Sequence, residues 1–214
     1  MNLLPIFLRL EGRRCLVVGA GTVALAKIES LHAAGAVITV VAPRAVPQVQ
    51  TLAKKGALTL YERAFTPRDL DGVFLVVAAT NAPEVNRAVH EEALRRNVLC
   101  NAVDDPPNCD FYFGSVVARG DLQIAISTAG ESPALAQQLR REIDAQLPKD
   151  LGPWLGELGG LRREVRAATP PGETRNRLLH ELAQRHLCSS PECPAREFAR
   201  ERIGTIREES GVTA

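Results

Sequence analysis

The sequence predicts an α/β protein in three parts: a parallel sheet with its helices over residues 1–113, a small α+β segment over 114–147, and a helical C-terminal part over 148–214. Three observations carry that expectation. The loop Gly19-Ala20-Gly21-Thr22-Val23-Ala24 stands between a strand-like run and a helical one. The run FLVVAAT at 74–80 is apolar without a break, the mark of a strand buried on both faces. After about residue 112 the strand–helix alternation stops, and two short strand-like runs surround Gly120-Asp121.

Taken in order, RRCLVV at 13–18 is a short buried strand and 23–34 a helix stopped by Gly35. AVITVV at 36–41 is rich in β-branched residues and ends before Pro43, which completes a right-handed βαβ unit. A helix follows at 46–55, strands at 57–61 and 74–80, a helix at 83–96 through Val85, Val89 and Leu94, and a strand at 98–103. GSVVAR and LQIAIST then form a hairpin across Gly120-Asp121. Ser132-Pro133 reads as a cap and first-turn proline for a helix with Leu135, Leu139, Ile143 and Leu147 on one face. That piece is too small to stand alone, so its apolar face needs the first domain or a second subunit. Beyond 148, Trp154, Leu158, Leu161 and Val165 form an apolar stripe, and Thr174 is placed to cap a last helix through Leu178, Leu179 and Leu182.

Composition narrows the function. Hydrophobic residues make up 45%, charged residues 24%, and the net charge is +1, so no global field favours nucleic acid or an anionic membrane as partner. No apolar stretch reaches the roughly 20 residues of a membrane span, and the first ten residues lack a signal peptide's pattern, so a cytoplasmic protein is expected. Cys15 and Cys100 lie in strand-like runs as plain buried thiols. Cys188 and Cys193, with His180 and His186 upstream, have a spacing that a metal can use, but no second cysteine pair completes it and no metal is expected.

The glycine loop fits G-x-G-x-x-A. Gly19 allows the tight turn, Gly21 lets backbone approach a pyrophosphate, Ala24 keeps the helix near the sheet, and the helix N-terminus offers free amides. Its place between strand and helix makes a Rossmann-like dinucleotide site the expectation. The acid that ordinarily ends the second strand is missing from Val41-Ala42-Pro43-Arg44. Arg44 can meet a 2′-phosphate or stand as a solvated arginine. Ala79 and Thr80, at another strand end, either line the cofactor or cap a helix with Asn81. Asp104 and Asp105 end the fifth strand, where a carboxylate beside a cofactor suits acid–base work and where Asp-Asp-Pro-Pro is also ordinary turn chemistry. Ser127, Thr128, Gly130 and Ser132 form either an anion site at a helix N-terminus or a simple loop and cap.

These segments together resemble the precorrin-2 dehydrogenase and sirohydrochlorin ferrochelatase family, the N-terminal module of siroheme synthases. The likeness runs from about residue 3 to 165. It rests on Leu4-Pro5-Ile6-Phe7, CLVVGAGTVALAK at 15–27, VVAAT at 76–80, CNAVDDP at 100–106 and ISTAGESPALAQQLRREI at 126–143. The resemblance implies that the α+β segment 114–147 is a dimerisation domain, and that the protein is a homodimer that oxidises precorrin-2 with NAD and in some members inserts ferrous iron afterwards. It implies that Asp104 is the catalytic aspartate and that Thr22, Val23, Pro43 and Arg44 contact the cofactor. A substrate with many carboxylates gives Arg119, Arg140 and Arg141 a purpose. Position 128 is threonine where some members carry a phosphorylatable serine, and no methyltransferase part of the fused synthases is expected within 214 residues. A dehydrogenase without chelatase activity fits equally. The reading from another class is a non-enzymatic nucleotide-sensing module, such as that of a potassium-uptake regulator, which has no use for NAVDDP or STAGESP.

Overall fold

The structure, a computed structural model, describes residues 3–183 and Thr205. The chain divides into two compact units, Met1–Phe113 and Gly114–Ala214.

The first unit is built on five parallel strands: β1 Arg14–Val18, β2 Val37–Val41, β3 Thr59–Tyr61, β4 Leu75–Ala78 and β5 Leu99–Ala102, in the order β3-β2-β1-β4-β5. Successive side chains of a strand face opposite ways, and both faces here are covered. Cys15 and Val17 of β1 pack with Ile28 and Leu31 of helix α1 (Thr22–Ala33) and Val49 of helix α2 (Pro47–Lys54). Leu16 and Val18 pack on the other side with Val89 and Ala93 of helix α3 (Pro83–Arg96) and with Leu70. That two-sided burial is why 74–80 carries no polar residue before its end. Helix α3 closes at Asn97, whose left-handed φ of 55° is one that asparagine tolerates. Ahead of β1, residues 3–10 have no regular structure, and Leu4 is 82% exposed.

The order of strands reverses between β1 and β4: β2 and β3 extend to one side and β5 to the other. Such a reversal leaves a crevice at the carboxyl ends of the two central strands. The β5 edge is not bare. Asn101 bridges antiparallel to Cys109, the Asp110 N–H donates to the Cys100 carbonyl (2.8 Å), and the Cys100 N–H donates to Asp110 Oδ2 (2.9 Å). The chain after β5 thus folds back along the edge strand and covers it.

The second unit opens with an antiparallel hairpin, β6 Ser115–Arg119 and β7 Leu122–Ile126, turned by Gly120 (φ 59°) and Asp121. Helix α4 (Pro133–Gln146) starts at a Ser132 cap whose hydroxyl accepts from the Leu135 N–H (3.2 Å). Its expected apolar stripe is only partly covered: Leu135 is 47% exposed, Leu139, Ile143 and Leu147 are half-buried, and Ala136 alone is buried. A two-stranded sheet is too narrow to cover a helix face by itself. Helices α5 (Leu151–Ala168) and α6 (Glu173–Ala183) make a small core of their own from Trp154, Val165 and Leu182, flanked by Leu158, Leu161, Leu178 and Leu179. Gly152 of α5 lies so close to the hairpin turn that a Cβ there would stand 2.8 Å from the Arg119 carbonyl oxygen.

One boundary differs from expectation. Helix α6 begins at Glu173, and the Gly172 carbonyl accepts from the Asn176 N–H (3.1 Å), so Thr174 lies inside the first turn rather than capping it. Cys188, Cys193 and His186 lie outside the described residues.

Leu182 is 2% exposed in the α5–α6 core. Leu182→Ala is expected to cost about 2–4 kcal/mol of stability in that core. Urea unfolding followed by fluorescence of Trp154, the chain's single tryptophan, reads this directly.

Candidate functional site

Three strand ends converge on one cleft of about 430 Å³. Its walls are Gly19–Gly21 after β1, Ala42–Val46 after β2 and Ala79–Asn81 after β4. Parallel strands in register bring them together: Val18 pairs with both Val41 and Ala78, so the next residues of all three strands emerge side by side. Six residues expected at a cofactor, Gly19, Gly21, Pro43, Arg44, Ala79 and Thr80, line this cleft. The other two, Thr22 and Val23, open α1 at its mouth, and Val23 leaves 53% of its surface exposed.

The two glycines do different work. Gly19 adopts φ 107°, and a Cβ on it would stand 2.2 Å from the Ala79 carbonyl oxygen. Its N–H donates to the Val41 carbonyl (2.9 Å), which ties the loop to β2. Gly21 is extended, and a Cβ there would meet nothing within 4 Å, so the space beside it is open. Gly21 is also the N-cap of α1, with no side-chain cap and no acid in the first turn. A helix that leaves its first amides uncapped beside an open cleft fits an anionic pyrophosphate. Ala24 is fully buried against the sheet, as the motif's third small position requires.

Arg44 is the one charged side chain among the residues lining the cleft, and it is exposed. Thr80 is held firmly: its hydroxyl donates to Asn86 Oδ1 (2.7 Å) and accepts from the Ala82 N–H (3.2 Å). Asn86 Nδ2 in turn donates to the Thr80 carbonyl (3.1 Å). The buried Asn86 therefore fixes the β4 wall of the cleft, a role no local sequence signal announces.

Asp104 sits one strand over. The Val103 N–H donates to the Ala78 carbonyl (2.9 Å), which sets the β5 end beside the β4 end. Asp104 then takes a left-handed φ of 60°, exposed, with no hydrogen bond to its carboxylate from the described residues of its unit. Asp105, its neighbour, accepts from Asn108 Nδ2 (2.7 Å) and serves the turn. The pair of carboxylates thus separates into one free group and one structural group. The loop is closed from below by buried Asn101, whose Nδ2 donates to the Phe111 carbonyl (2.8 Å), and by Cys109, whose thiol donates to the Ala102 carbonyl (3.0 Å). Burial pushes the Cys109 thiol above its ordinary pKa, and those of Cys15 and Cys100 to about 11 and about 12. These thiols are packing groups, not nucleophiles.

The remaining expected residues belong to the second unit. In the loop after β7 the hydroxyls are occupied locally: Ser127 Oγ accepts from the Ala129 N–H (3.1 Å), and Thr128 Oγ1 accepts from the Ser132 N–H (3.2 Å). Ala129 and Gly130 take positive φ of 52° and 88°, which shapes the tight turn into α4. Arg119 is not free to greet a ligand. Its guanidinium donates to Asp144 Oδ1 (2.8 Å), to the Asp144 carbonyl (2.8 Å) and to the Leu147 carbonyl (3.2 Å), which ties the hairpin to the end of α4. The reason is the dipole: the last carbonyls of a helix attract a cation. Among the described residues no group of His, Cys, Asp and Glu could hold a metal ion. No helix of the described residues is long and apolar enough to cross a membrane.

Residues 6–115 match a family model described as "Putative NAD(P)-binding". The chain belongs to this NAD(P)-binding family. Residues 119–146 match a second model, described as "Sirohaem biosynthesis protein central". Among relatives, the chain is 43% identical over 182 residues to siroheme synthase 1 of Aeromonas hydrophila, covering 85% of this chain and 39% of that protein. It is 46% identical over 162 residues to siroheme synthase 1 of Cronobacter sakazakii, covering 76% and 34%. The chain therefore spans well under half the length of these curated relatives. A solved structure titled "SirC, precorrin-2 dehydrogenase" superposes with a TM-score of 0.78 at 27% identity, over 96% of this chain and 100% of that one. The resemblance drawn from the sequence motifs is met in both halves of the chain.

The contrast between the two glycines gives a test. Gly19→Ala is expected to destabilise the fold, because its Cβ would overlap backbone at a positive φ. Gly21→Ala should leave unfolding unchanged yet weaken NAD binding by at least about tenfold, as read by calorimetric titration.

Proposed function

We propose that this chain is an NAD-dependent precorrin-2 dehydrogenase, forming sirohydrochlorin on the route to siroheme and working in the cytoplasm as a homodimer. The observation that carries this reading is the exposed Asp104 carboxylate, free of hydrogen bonds from the described residues of its unit and held at φ 60° one strand from the dinucleotide cleft. The names of the relatives and of the superposed structure point the same way.

The cleft fits the cofactor by three features: the uncapped amides of α1, the open space at Gly21, and the close wall that only a glycine at position 19 allows. The amides after Gly21 would take the pyrophosphate, Pro43 and Arg44 the adenosine side, and Ala79 and Thr80 the wall toward Asp104. Bound NAD supplies a two-electron acceptor. The chain's own task is the proton: as the macrocycle loses two electrons, Asp104 Oδ accepts the proton that must also leave the substrate. The same carboxylate suits insertion of ferrous iron, here a substrate, since pyrrole N–H protons leave as the metal enters. Ser127, Thr128, Gly130 and Ser132 are proposed to face the substrate with their loop already ordered by its own hydrogen bonds. Arg119 is proposed to support that surface through α4 rather than by direct contact. The half-open stripe on α4 and the exposed Leu4, Ile6 and Phe7 support pairing with a second copy. Free thiols at Cys15, Cys100 and Cys109 support a reducing compartment.

Purified protein with precorrin-2 and NAD is expected to give the sirohydrochlorin spectrum, with NADP in parallel to settle the cofactor and ferrous iron added last to settle chelation. No spectral change with either cofactor sinks the reading. Asp104→Asn keeps a residue that tolerates the left-handed backbone. It is expected to fold normally, bind NAD, and lose about 10²–10⁴-fold in turnover.

A further inference from the structure

We infer that Lys27 binds a carboxylate of the acidic tetrapyrrole and, with Asp104, fixes its position against the cleft. This rests on the proposed reaction for its choice of ligand.

Lys27 lies on α1, one turn beyond the glycine loop, and is half-buried. Its ammonium sits 4.2 Å from the centroid of the Phe113 ring. Phe113 packs on Phe111 with centroids 5.5 Å apart. Both rings belong to the segment that folds back along β5, and the Asn101–Phe111 hydrogen bond anchors it. The pairing that closes the Asp104 loop therefore also fixes the aromatic shelf under Lys27.

Burial pulls the Lys27 pKa down, and the Asp104 carboxylate pulls it part of the way back. The two charges therefore feel each other, yet they form no ion pair. An ammonium has three N–H donors, and no carboxylate or carbonyl of the described residues of the first unit takes one. A half-buried cation without an anion is costly, and an aromatic face offsets only part of that cost. A cation with three open donors within electrostatic reach of a carboxylate with open acceptors is a divided site. It takes a ligand that brings an anion to one group and a proton to the other. A polycarboxylate that must lose a proton has both. The plain alternative is that Lys27 only lays its aliphatic stem over Phe113. Lys27→Met keeps that stem and removes the charge.

The test compares wild type, Lys27→Met, Lys27→Gln and Lys27→Arg. At saturating NAD, Lys27→Met is expected to raise KM for precorrin-2 about tenfold with kcat changed by no more than about twofold, the pattern of lost binding rather than lost chemistry. Lys27→Arg should recover most of the loss. Absorbance titration with sirohydrochlorin should show the same weakening, while its fully esterified form binds wild type and Lys27→Met alike. NAD affinity and thermal unfolding should not move. Equal affinity of wild type and Lys27→Met for the free acid overturns the inference, and so does an equal loss for acid and ester. Should Lys27→Met fold poorly, Lys27→Gln decides by the same comparison. If wild type fails to oxidise precorrin-2, the titration still decides on Lys27, so the two failures are told apart.

Discussion

Everything at the cleft depends on how closely two backbones approach: the turn at Gly19 against the carbonyl of Ala79. β1 and β4 are neighbours in the sheet, so the chain leaving β1 must pass over the chain leaving β4 with no side chain between them. That contact sets the height of the glycine loop, the start of α1, and hence the direction in which the helix's free amides point. It also puts Thr80 at the rim, where Asn86 holds it. The cofactor site is in this sense a property of the sheet order more than of any polar side chain.

The same order explains why the carboxylate proposed for the chemistry sits where it does. The reversal at β1 and β4 makes the crevice, and the next strand outward, β5, delivers its first free residue beside the rim. The edge strand would otherwise be a liability. Covering it with residues 109–113 protects the edge and at the same time pins both ends of the Asp104 loop. A single fold-back thus gives protection to the sheet, rigidity to the carboxylate and an aromatic shelf to Lys27.

The fold of the first unit was legible because its signals are local and repeated: short β-branched runs, an unbroken apolar run, a glycine loop in the right context. Gly19, Gly21, Arg44, Ala79 and Thr80 could be placed at one cleft from sequence because each follows a strand by one to three residues, and Pro43 came with the family resemblance. The parts that were not legible depend on distance along the chain. Arg119 meets Asp144 across 25 residues, so a free substrate arginine was expected where the structure has a clamp. Lys27 meets Phe113 only after five strands are in place. Asn101 carried a readable sign, a polar residue inside an apolar run, but its partner at Phe111 is set by the fold-back. The α4 stripe shows the opposite limit: the periodicity was right, yet the described chain offers too little surface to bury it.

Asp104 stands at a left-handed backbone angle that glycine adopts more easily than aspartate does, and its carboxylate takes no hydrogen bond from the described residues of its unit. Selection for thermal robustness alone would drift this position toward glycine and, with the proton-accepting role proposed for Asp104, would silence the protein in the same step. On that proposed role, the residue marks a point where durability and use are in competition. A stabilising library made without an activity screen would lose function there first.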